Sequence, residues 1–205
     1  MTISKIQRSF WFDMDGVLVQ HFAQDYIPTK EGNRLPKYLT PHYFENLPEV
    51  KLMTEAVKEL SFYCGTYTPE TTHLSILSKV SMDADLYMHQ VDSKVKWIAN
   101  NEKLNSLNNL NAAFTGTSKV KKAKAILGRE LTAHDILVDD WNENLLEWQA
   151  AGGTAIKFGK GNRESWSGYS IQMLSEATEI VDFLIALAML SEATEIVDSL
   201  IALAM

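Results

Sequence analysis

Short apolar runs alternate with segments of helical period over most of the chain. The run SFWF at residues 9–12 is aromatic and apolar, which is typical of a buried strand. Further strands are predicted at residues 72–78, 111–115, 136–138 and 154–158, and helices at residues 50–60, 92–99, 119–127 and 142–151. Because strands and helices alternate, we expect an open, mostly parallel sheet with helices on both faces. The pattern predicts an α/β fold, a three-layer α/β/α Rossmann-like domain.

An irregular segment interrupts this alternation after the first strand. Prolines recur from residue 20 to residue 48, together with several aromatic residues, before a helical period resumes at residue 50. We therefore expect residues 20–67 to form a small, mainly helical cap insertion. The α/β core would then consist of residues 1–19 and 68–173.

The last part of the chain is a tandem repeat of 16 residues. LSEATEIVDFLIALAM at residues 174–189 is followed by LSEATEIVDSLIALAM at residues 190–205, and the copies differ only at Phe183 and Ser199. Each copy predicts an amphipathic helix, with Ser175 or Ser191 as its N-cap. In one continuous helix the second apolar stripe would be rotated by about 160° from the first. Either the chain breaks near Ser191 and folds back, or something else covers the second stripe, such as a second subunit in a homodimer.

Composition and charge narrow the classes of partner. The 205 residues are 46% hydrophobic and 22% charged, as expected for a globular protein with one core. The net charge of −7 argues against binding to a nucleic-acid polymer. Glu192, Glu195 and Asp198 interrupt the apolar C-terminal region, so we expect no membrane span. Cys64 is the only cysteine, and the N-terminus lacks a signal-peptide pattern, so we expect a reducing, cytoplasmic location.

Two pairs of acidic residues follow predicted strands. Asp13 and Asp15, with a glycine next to them, come directly after residues 9–12, and Asp139 and Asp140 come directly after residues 136–138. Because parallel strands end at the same edge of a sheet, we expect both pairs to lie close together. Phosphoryl oxygens repel an anionic nucleophile, so phosphoryl transfer needs a cation, and carboxylate oxygens suit Mg²⁺. The pairs therefore predict a magnesium site for phosphoryl chemistry.

Three further side chains complete this candidate site. Ser78 ends the predicted strand at residues 72–78, and its hydroxyl could donate to a phosphate oxygen. Lys94 lies near the start of the helix predicted at residues 92–99, and Lys119 begins the helix predicted at residues 119–127. Either lysine could supply positive charge to a phosphate group.

The two acidic motifs resemble those of the haloacid dehalogenase-like superfamily of phosphohydrolases. The stretch DMDGVL at residues 13–18 resembles its first motif. The stretch ILVDDWNENLLEWQAAGGTAIKF at residues 136–158 resembles its fourth motif, and is most similar to the 5′(3′)-deoxyribonucleotidase branch with its bacterial and phage relatives. The resemblance covers residues 10–158 and leaves the repeat outside.

The resemblance implies a role for each residue of the candidate site. Asp13 would be the nucleophile that forms an aspartyl-phosphate, and Asp15 would protonate the leaving oxygen and later activate water. Mg²⁺ would be held by Asp13, the backbone carbonyl of Asp15 and Asp140, with Asp139 supporting the metal shell. Phosphate binding is implied for a further set of side chains, of which either lysine could be the third-motif residue: Ser78, Lys94 and Lys119.

The resemblance also implies a small phosphate ester as substrate, with a 5′-nucleotide as the leading candidate. Four aromatic residues of the insertion fall where related enzymes stack a nucleobase, although they could equally form the insertion's own small core: Tyr26, Tyr38, Tyr43 and Phe44. Two alternatives stay open. The chain could hydrolyse another small ester such as a sugar phosphate, or it could be a catalytically silent interaction protein that uses the duplicated helix for contact.

Overall fold

A single six-stranded sheet forms the centre of the molecule. The computed structural model describes residues 7–21, 26–30, 32–40, 42–68, 71–159, 166–171 and 176–204, with side chains up to residue 190. The sheet strands are β1 (Arg8–Phe12), β4 (Thr72–Lys79), β5 (Leu110–Thr115), β6 (Asp135–Asp139), β7 (Thr154–Lys157) and β8 (Tyr169–Ser170). They lie in the order β5-β4-β1-β6-β7-β8, and all their pairings are parallel. The predicted parallel α/β fold is confirmed.

Five α-helices accompany the sheet in the described part of the chain. They are α1 (Lys51–Tyr67), α2 (Ala84–Asn100), α3 (Lys119–Leu127), α4 (Asn142–Ala150) and α5 (Ala177–Ala204). Strand β1 separates two apolar layers, because its successive side chains point to opposite faces. Phe10 and Phe12 belong to the larger core cluster, which also contains residues of α1 and α5. Trp11 belongs to the smaller cluster, with residues of α3 and α4. Burial on both faces explains why β1 is an inner strand.

The described residues between β1 and α1 form short strands and 3₁₀ turns. Strands β2 (Tyr26–Pro28) and β3 (Arg34–Pro36) form an antiparallel pair, followed by single 3₁₀ turns at Lys37–Leu39 and Tyr43–Asn46. Helix α1, which the sequence predicts as part of the insertion, packs in the larger core cluster through Met53, Val57 and Leu60. Its apolar face covers the sheet, so this helix is a layer of the core.

Helix α5 joins both copies of the tandem repeat without a break. Ser191 therefore lies inside the helix, so it is not an N-cap, and of the two alternatives for the repeat the break with a chain reversal near Ser191 is wrong. Ser175, the other predicted cap, lies outside the described residues. Within the first copy, Ile180 and Leu184 are fully buried in the larger core cluster, whereas Leu190, the first residue of the second copy, is 64% exposed. None of the helices in the described ranges is long and apolar enough to cross a membrane.

Candidate functional site

The two acidic pairs meet at the carboxyl edge of the sheet. Asp13 directly follows β1, and its backbone N–H donates to the carbonyl of Val138 at 2.9 Å, which ties the end of β1 to β6. Asp139 is the last residue of β6, and Asp140 comes next. Each of Asp13, Asp139 and Asp140 offers a carboxylate oxygen within 4.8 Å of the others. Parallel pairing of β1 with β6 is what brings these distant residues together.

The carboxylates of Asp139 and Asp140 have different surroundings. Asp139 Oδ1 accepts a hydrogen bond from the Trp141 N–H at 2.8 Å. Its Oδ2 accepts from Lys119 Nζ at 2.6 Å and from Asn144 Nδ2 at 3.0 Å. No side chain within the described ranges donates to the Asp140 carboxylate. Asp140 is therefore better placed to give a lone pair to a cation, and Asp139 is better placed to orient its neighbours.

The cluster carries more negative than positive charge. Burial raises the pKa of Asp140 to about 7, and the nearby charges of Asp13 and Asp139 act in the same direction. Burial also raises the pKa of Asp139. Although burial alone would lower it, ion pairs with Asp13 at 2.7 Å and Asp139 at 2.6 Å raise the pKa of Lys119. One ammonium cannot neutralise three carboxylates, of which two are buried and that of Asp140 is partly buried, so the cluster favours a divalent cation.

Gly16 allows the loop after β1 to lie directly against Asp140. Its φ is +81°, a conformation that glycine adopts without steric cost. A Cβ at this position would lie 2.1 Å from Asp140 Oδ2, so no other residue fits without a shift. The loop backbone and three carboxylates therefore surround one small volume. The carboxylates of Asp13 and Asp140 would hold Mg²⁺, which prefers oxygen ligands, beside the ammonium of Lys119. The backbone carbonyl of Asp15 stays the third group that the resemblance implies.

The two candidate lysines contact different carboxylates. Lys119, at the start of α3, contacts Asp13 and Asp139 as described above. Lys94 Nζ donates to Asp15 Oδ2 at 2.5 Å and to Ser78 Oγ at 2.7 Å. Both lysine side chains are buried. The acid at residue 13 and the acid at residue 15 therefore have one lysine each.

Lys94 reaches this position from the middle of a helix. The sequence predicts a helix start at residue 92, but α2 begins at Ala84. Asp83 caps it by accepting hydrogen bonds from the backbone N–H groups of Asp85 at 3.1 Å and Leu86 at 3.2 Å. Lys94 is therefore not a helix-start residue, and it lies on the buried face of α2.

A cavity of about 360 Å³ lies next to Asp15. Its walls are largely apolar with a few polar groups, as in many ligand pockets, and consist of Asp15, His21, Tyr38, Leu39, Phe44, Lys79, Val80, Ser81 and Gln90. Two of the four aromatic residues considered for base stacking, Tyr38 and Phe44, line this cavity. Tyr43 instead packs edge-on against Phe44, with ring centroids 5.0 Å apart, and Tyr26 is 47% exposed on β2.

Two polar residues of the cavity wall that the sequence did not reveal are His21 and Gln90. The ring centroid of His21 lies 6.1 Å from that of Tyr38 and 5.8 Å from that of Tyr43. Gln90 Oε1 accepts from the Ser81 N–H at 2.7 Å, and its Nε2 donates to the Tyr38 carbonyl at 3.0 Å. Gln90 precedes Lys94 by one helical turn, so the correct start of α2 would have placed both on one face.

Lys157 is a further residue of the site that the sequence did not reveal. It ends β7 and is buried, and burial lowers its pKa. Its Nζ donates to the Asp140 carbonyl and to Asn142 Oδ1, both at 2.6 Å. Lys157 therefore fixes the backbone of the segment that presents the Asp140 carboxylate.

Comparisons with known proteins identify the fold. A scan of the sequence against protein-family models gives no match, and neither does a search of curated proteins. Solved structures do match. A D,D-heptose bisphosphate phosphatase from B. bronchiseptica, complexed with magnesium and phosphate, has a TM-score of 0.60 and 10% sequence identity; the match covers 88% of this chain and 99% of that chain.

Two hydrolases give similar matches. A HAD-superfamily hydrolase from Ehrlichia chaffeensis has a TM-score of 0.54 and 15% identity, with 90% of this chain and 99% of that chain covered. A haloacid dehalogenase-like family hydrolase from Xanthomonas campestris has a TM-score of 0.54 and 9% identity, with 93% and 100% covered. At this level of identity the likeness concerns the fold. The chain therefore has the three-layer fold that these hydrolases share.

Proposed function

We propose that this protein is a Mg²⁺-dependent phosphomonoester hydrolase with Asp13 as its nucleophile. The observation that carries the proposal is the pairing of Asp13 with Lys119 in the acidic cluster, while Asp15 borders the adjoining cavity. A nucleophile, a proton donor and a metal site are then present at one sheet edge. The shared fold with a phosphatase that binds magnesium and phosphate supports the same reaction class.

The reaction proceeds in two steps on the residues of this chain. A carboxylate oxygen of Asp13 attacks phosphorus, the bond from phosphorus to the ester oxygen breaks, and Asp15 gives its proton to the leaving oxygen. Water then attacks the phosphorus of the aspartyl-phosphate and gives one proton to Asp15, and the bond from phosphorus to the Asp13 oxygen breaks. Inorganic phosphate is released, Asp13 is again a carboxylate and Asp15 is again a carboxylic acid. Lys119 balances part of the negative charge beside Asp13 throughout. Bound Mg²⁺ supplies the additional positive charge that phosphoryl oxygens require.

Phosphate binding completes the proposed site. Lys119 is the better candidate for the third-motif lysine, because it contacts both Asp13 and Asp139. The Ser78 hydroxyl, at the end of β4, is proposed to lie near the phosphate as the resemblance implies. Asp139, which accepts hydrogen bonds from several neighbours, is proposed to support the metal shell.

A nucleoside 5′-monophosphate is the substrate that we propose. Two aromatic residues, Tyr38 and Phe44, line the cavity beside Asp15. Phe44 is buried and its ring contacts Lys94 Nζ, so Tyr38 is the ring that we propose to stack on a nucleobase. Ser81 and Gln90 add neutral polar groups to the cavity wall, beside the charged residues Asp15 and Lys79. A sugar phosphate would leave this aromatic ring with less to contact, so it should be a poorer substrate.

Phosphate release from a panel of esters tests this proposal. Nucleoside 5′-monophosphates and sugar phosphates are each assayed with Mg²⁺ and with chelator. Chelation and the Asp13→Asn substitution should each abolish release, and nucleotides should outcompete sugar phosphates. Asp92→Asn is a matched control, because Asp92 is 59% exposed on α2 and pairs with Lys96 away from the cluster. Release by folded Asp13→Asn at the wild-type rate would exclude the proposal. Release only from sugar phosphates would reject the nucleotide assignment alone.

A further inference from the structure

We propose that Lys94 is a positioning residue for the catalytic acid Asp15 and does not bind phosphate itself. This inference rests on the proposed function, since it assigns a role within the same site. It also separates the two lysines, which the resemblance alone left equivalent. Lys119 would serve the nucleophile, and Lys94 would serve the acid.

The hydrogen bonds of Lys94 account for its whole donor capacity. An ammonium group has three N–H donors. Lys94 Nζ has three acceptors, which are Asp15 Oδ2 at 2.5 Å, Ser78 Oγ at 2.7 Å and the Lys79 carbonyl at 3.0 Å. The side chain is 0% exposed. A phosphate oxygen could therefore reach Lys94 only by displacing one of these acceptors.

Lys119, by contrast, does not use its whole donor capacity. In the described structure its ammonium contacts two carboxylates, those of Asp13 at 2.7 Å and Asp139 at 2.6 Å. One donor then remains for a substrate oxygen beside the nucleophile. The donor count thus assigns phosphate contact to Lys119 and leaves Lys94 with a different task.

An aromatic ring closes the remaining side of Lys94. Its Nζ lies 4.2 Å from the ring centroid of Phe44, within the range of a cation–π contact. Phe44 and Asp15 both line the cavity beside the site. Lys94 therefore connects the acid, strand β4 and the insertion in one contact group, which fixes the Asp15 carboxylate relative to the sheet.

The second carboxylate oxygen of Asp15, Oδ1, is the one that can transfer a proton. Oδ2 is held by Lys94, whereas Oδ1 is buried and has no hydrogen-bond partner in the part of the chain that is described. A carboxyl group held through one oxygen presents the other in a defined direction. Lys94 thus determines where the proton of Asp15 is delivered.

Leaving-group dependence distinguishes positioning from phosphate binding. An alkyl ester, such as a nucleoside monophosphate, needs its leaving oxygen protonated, but p-nitrophenyl phosphate releases a stable phenolate without this help. General acid catalysis contributes about 10²- to 10⁴-fold to rate. Lys94→Met should therefore lower kcat/KM for the alkyl ester by about 10²-fold, and for the aryl ester by less than about tenfold. kcat/KM is the right quantity because it covers the steps through departure of the leaving group.

Matched variants complete the experiment. Asp15→Asn should show the same preference for the aryl ester, and Lys94→Met combined with Asp15→Asn should add little further loss, because both changes affect one group. Lys119→Met should lower kcat/KM for both esters alike. Inorganic phosphate should inhibit Lys94→Met as strongly as wild type. Should Lys94→Met fail to fold by circular dichroism, Lys94→Gln replaces it, and its loss should again be larger on the alkyl ester.

Equal loss on both esters, or weaker inhibition of the Lys94 variant by inorganic phosphate, would overturn the inference. Additive losses in the double variant would also overturn it. A wild-type protein that hydrolyses neither ester would instead reject the proposed function, and this inference with it. The two failures are therefore distinguishable from the wild-type measurement alone.

Discussion

Replacing Asp140 with asparagine should stabilise the Mg²⁺-free protein at pH 8. Without a cation, Asp140 is buried beside Asp13 and Asp139, and its pKa is about 7 compared with the ordinary value of 3.8. Each pKa unit corresponds to about 1.4 kcal/mol, so a shift of about 3 units costs up to roughly 4 kcal/mol when Asp140 is ionised. Buffer ions and water at the site reduce this cost, and we expect the free energy of unfolding to rise by about 2 kcal/mol.

The stabilisation should depend on pH in a defined direction. Below about pH 4, Asp140 is protonated in both the folded and unfolded states, so the variant and the wild type should be equally stable. Between about pH 4 and pH 7 the folded state binds more protons, and the wild type loses stability as pH rises. Above about pH 7 the difference should reach its full size.

Urea unfolding with chelator present measures this effect. Titrations at several pH values between 4 and 8 give the free energy of unfolding for wild type, Asp140→Asn and the exposed control Asp92→Asn. Mg²⁺ is then added at about 100 times its Kd, which should stabilise the wild type by about 2.7 kcal/mol and leave Asp140→Asn unchanged. The control should follow the wild type in both series.

Two results would refute this reasoning. If Asp140→Asn were no more stable than wild type at pH 8 in chelator, then Asp140 would not be a destabilising carboxylate in the metal-free site. If Mg²⁺ stabilised the variant as much as the wild type, Asp140 would not be a ligand. A gain that was equally large at pH 4 would point to packing and not to charge.

Three further predictions concern the site and the core. Lys157→Met should weaken Mg²⁺ binding about tenfold by calorimetry, because the Asp140 backbone loses its anchor; unchanged affinity would contradict the anchoring role. Gly16→Ala should lower kcat/KM by about 10²-fold, because the new Cβ would meet Asp140. Gly32→Ala is the control, since its added Cβ meets nothing within 4 Å, and equal activity of both variants would contradict the prediction. Leu184→Ala should destabilise the protein by about 3 kcal/mol in urea unfolding, because Leu184 is fully buried, while KM stays unchanged; a changed KM would contradict a purely structural role.

Strand positions and the acidic pairs could be predicted from the sequence because their signals are local. Residues 9–12 are aromatic and apolar, and the structure has a buried strand at Arg8–Phe12. The stretch DMDGVL at residues 13–18 contains Gly16, whose φ of +81° explains the need for glycine. Local pattern therefore identified the residues that the sheet brings to one edge.

Helix bounds were harder to predict where the period of apolar residues is weak. Helix α2 has a mixed composition over residues 84–91, and the capping residue Asp83 was the available signal for its start. Helix α1 directly follows the irregular segment, so the sequence predicts it as part of the insertion. In the structure its apolar face packs on the sheet. Packing partners decide such a case, and a sequence pattern does not contain them.

Contacts between residues that are far apart along the chain were the hardest feature to predict from the sequence. Lys94 contacts the carboxylate of Asp15 and the hydroxyl of Ser78. Only the fold brings these groups together. The continuity of α5 was not predictable either, since two nearly identical repeats permit either a break or one helix. The residue types at these positions could be read from the sequence, whereas the different contacts of Lys94 and Lys119 could not.

The central claim, nucleophilic attack by Asp13, is tested most directly by trapping the phosphoenzyme. Asp15→Asn is mixed with radiolabelled p-nitrophenyl phosphate and Mg²⁺, quenched in acid and counted for label on the protein, since loss of the water-activating group should let the intermediate accumulate. We expect label on the protein that hydroxylamine releases, and no label when Asp13→Asn is combined with Asp15→Asn. Nitrophenol release without label on the protein, or equal label in the double variant, would contradict the claim.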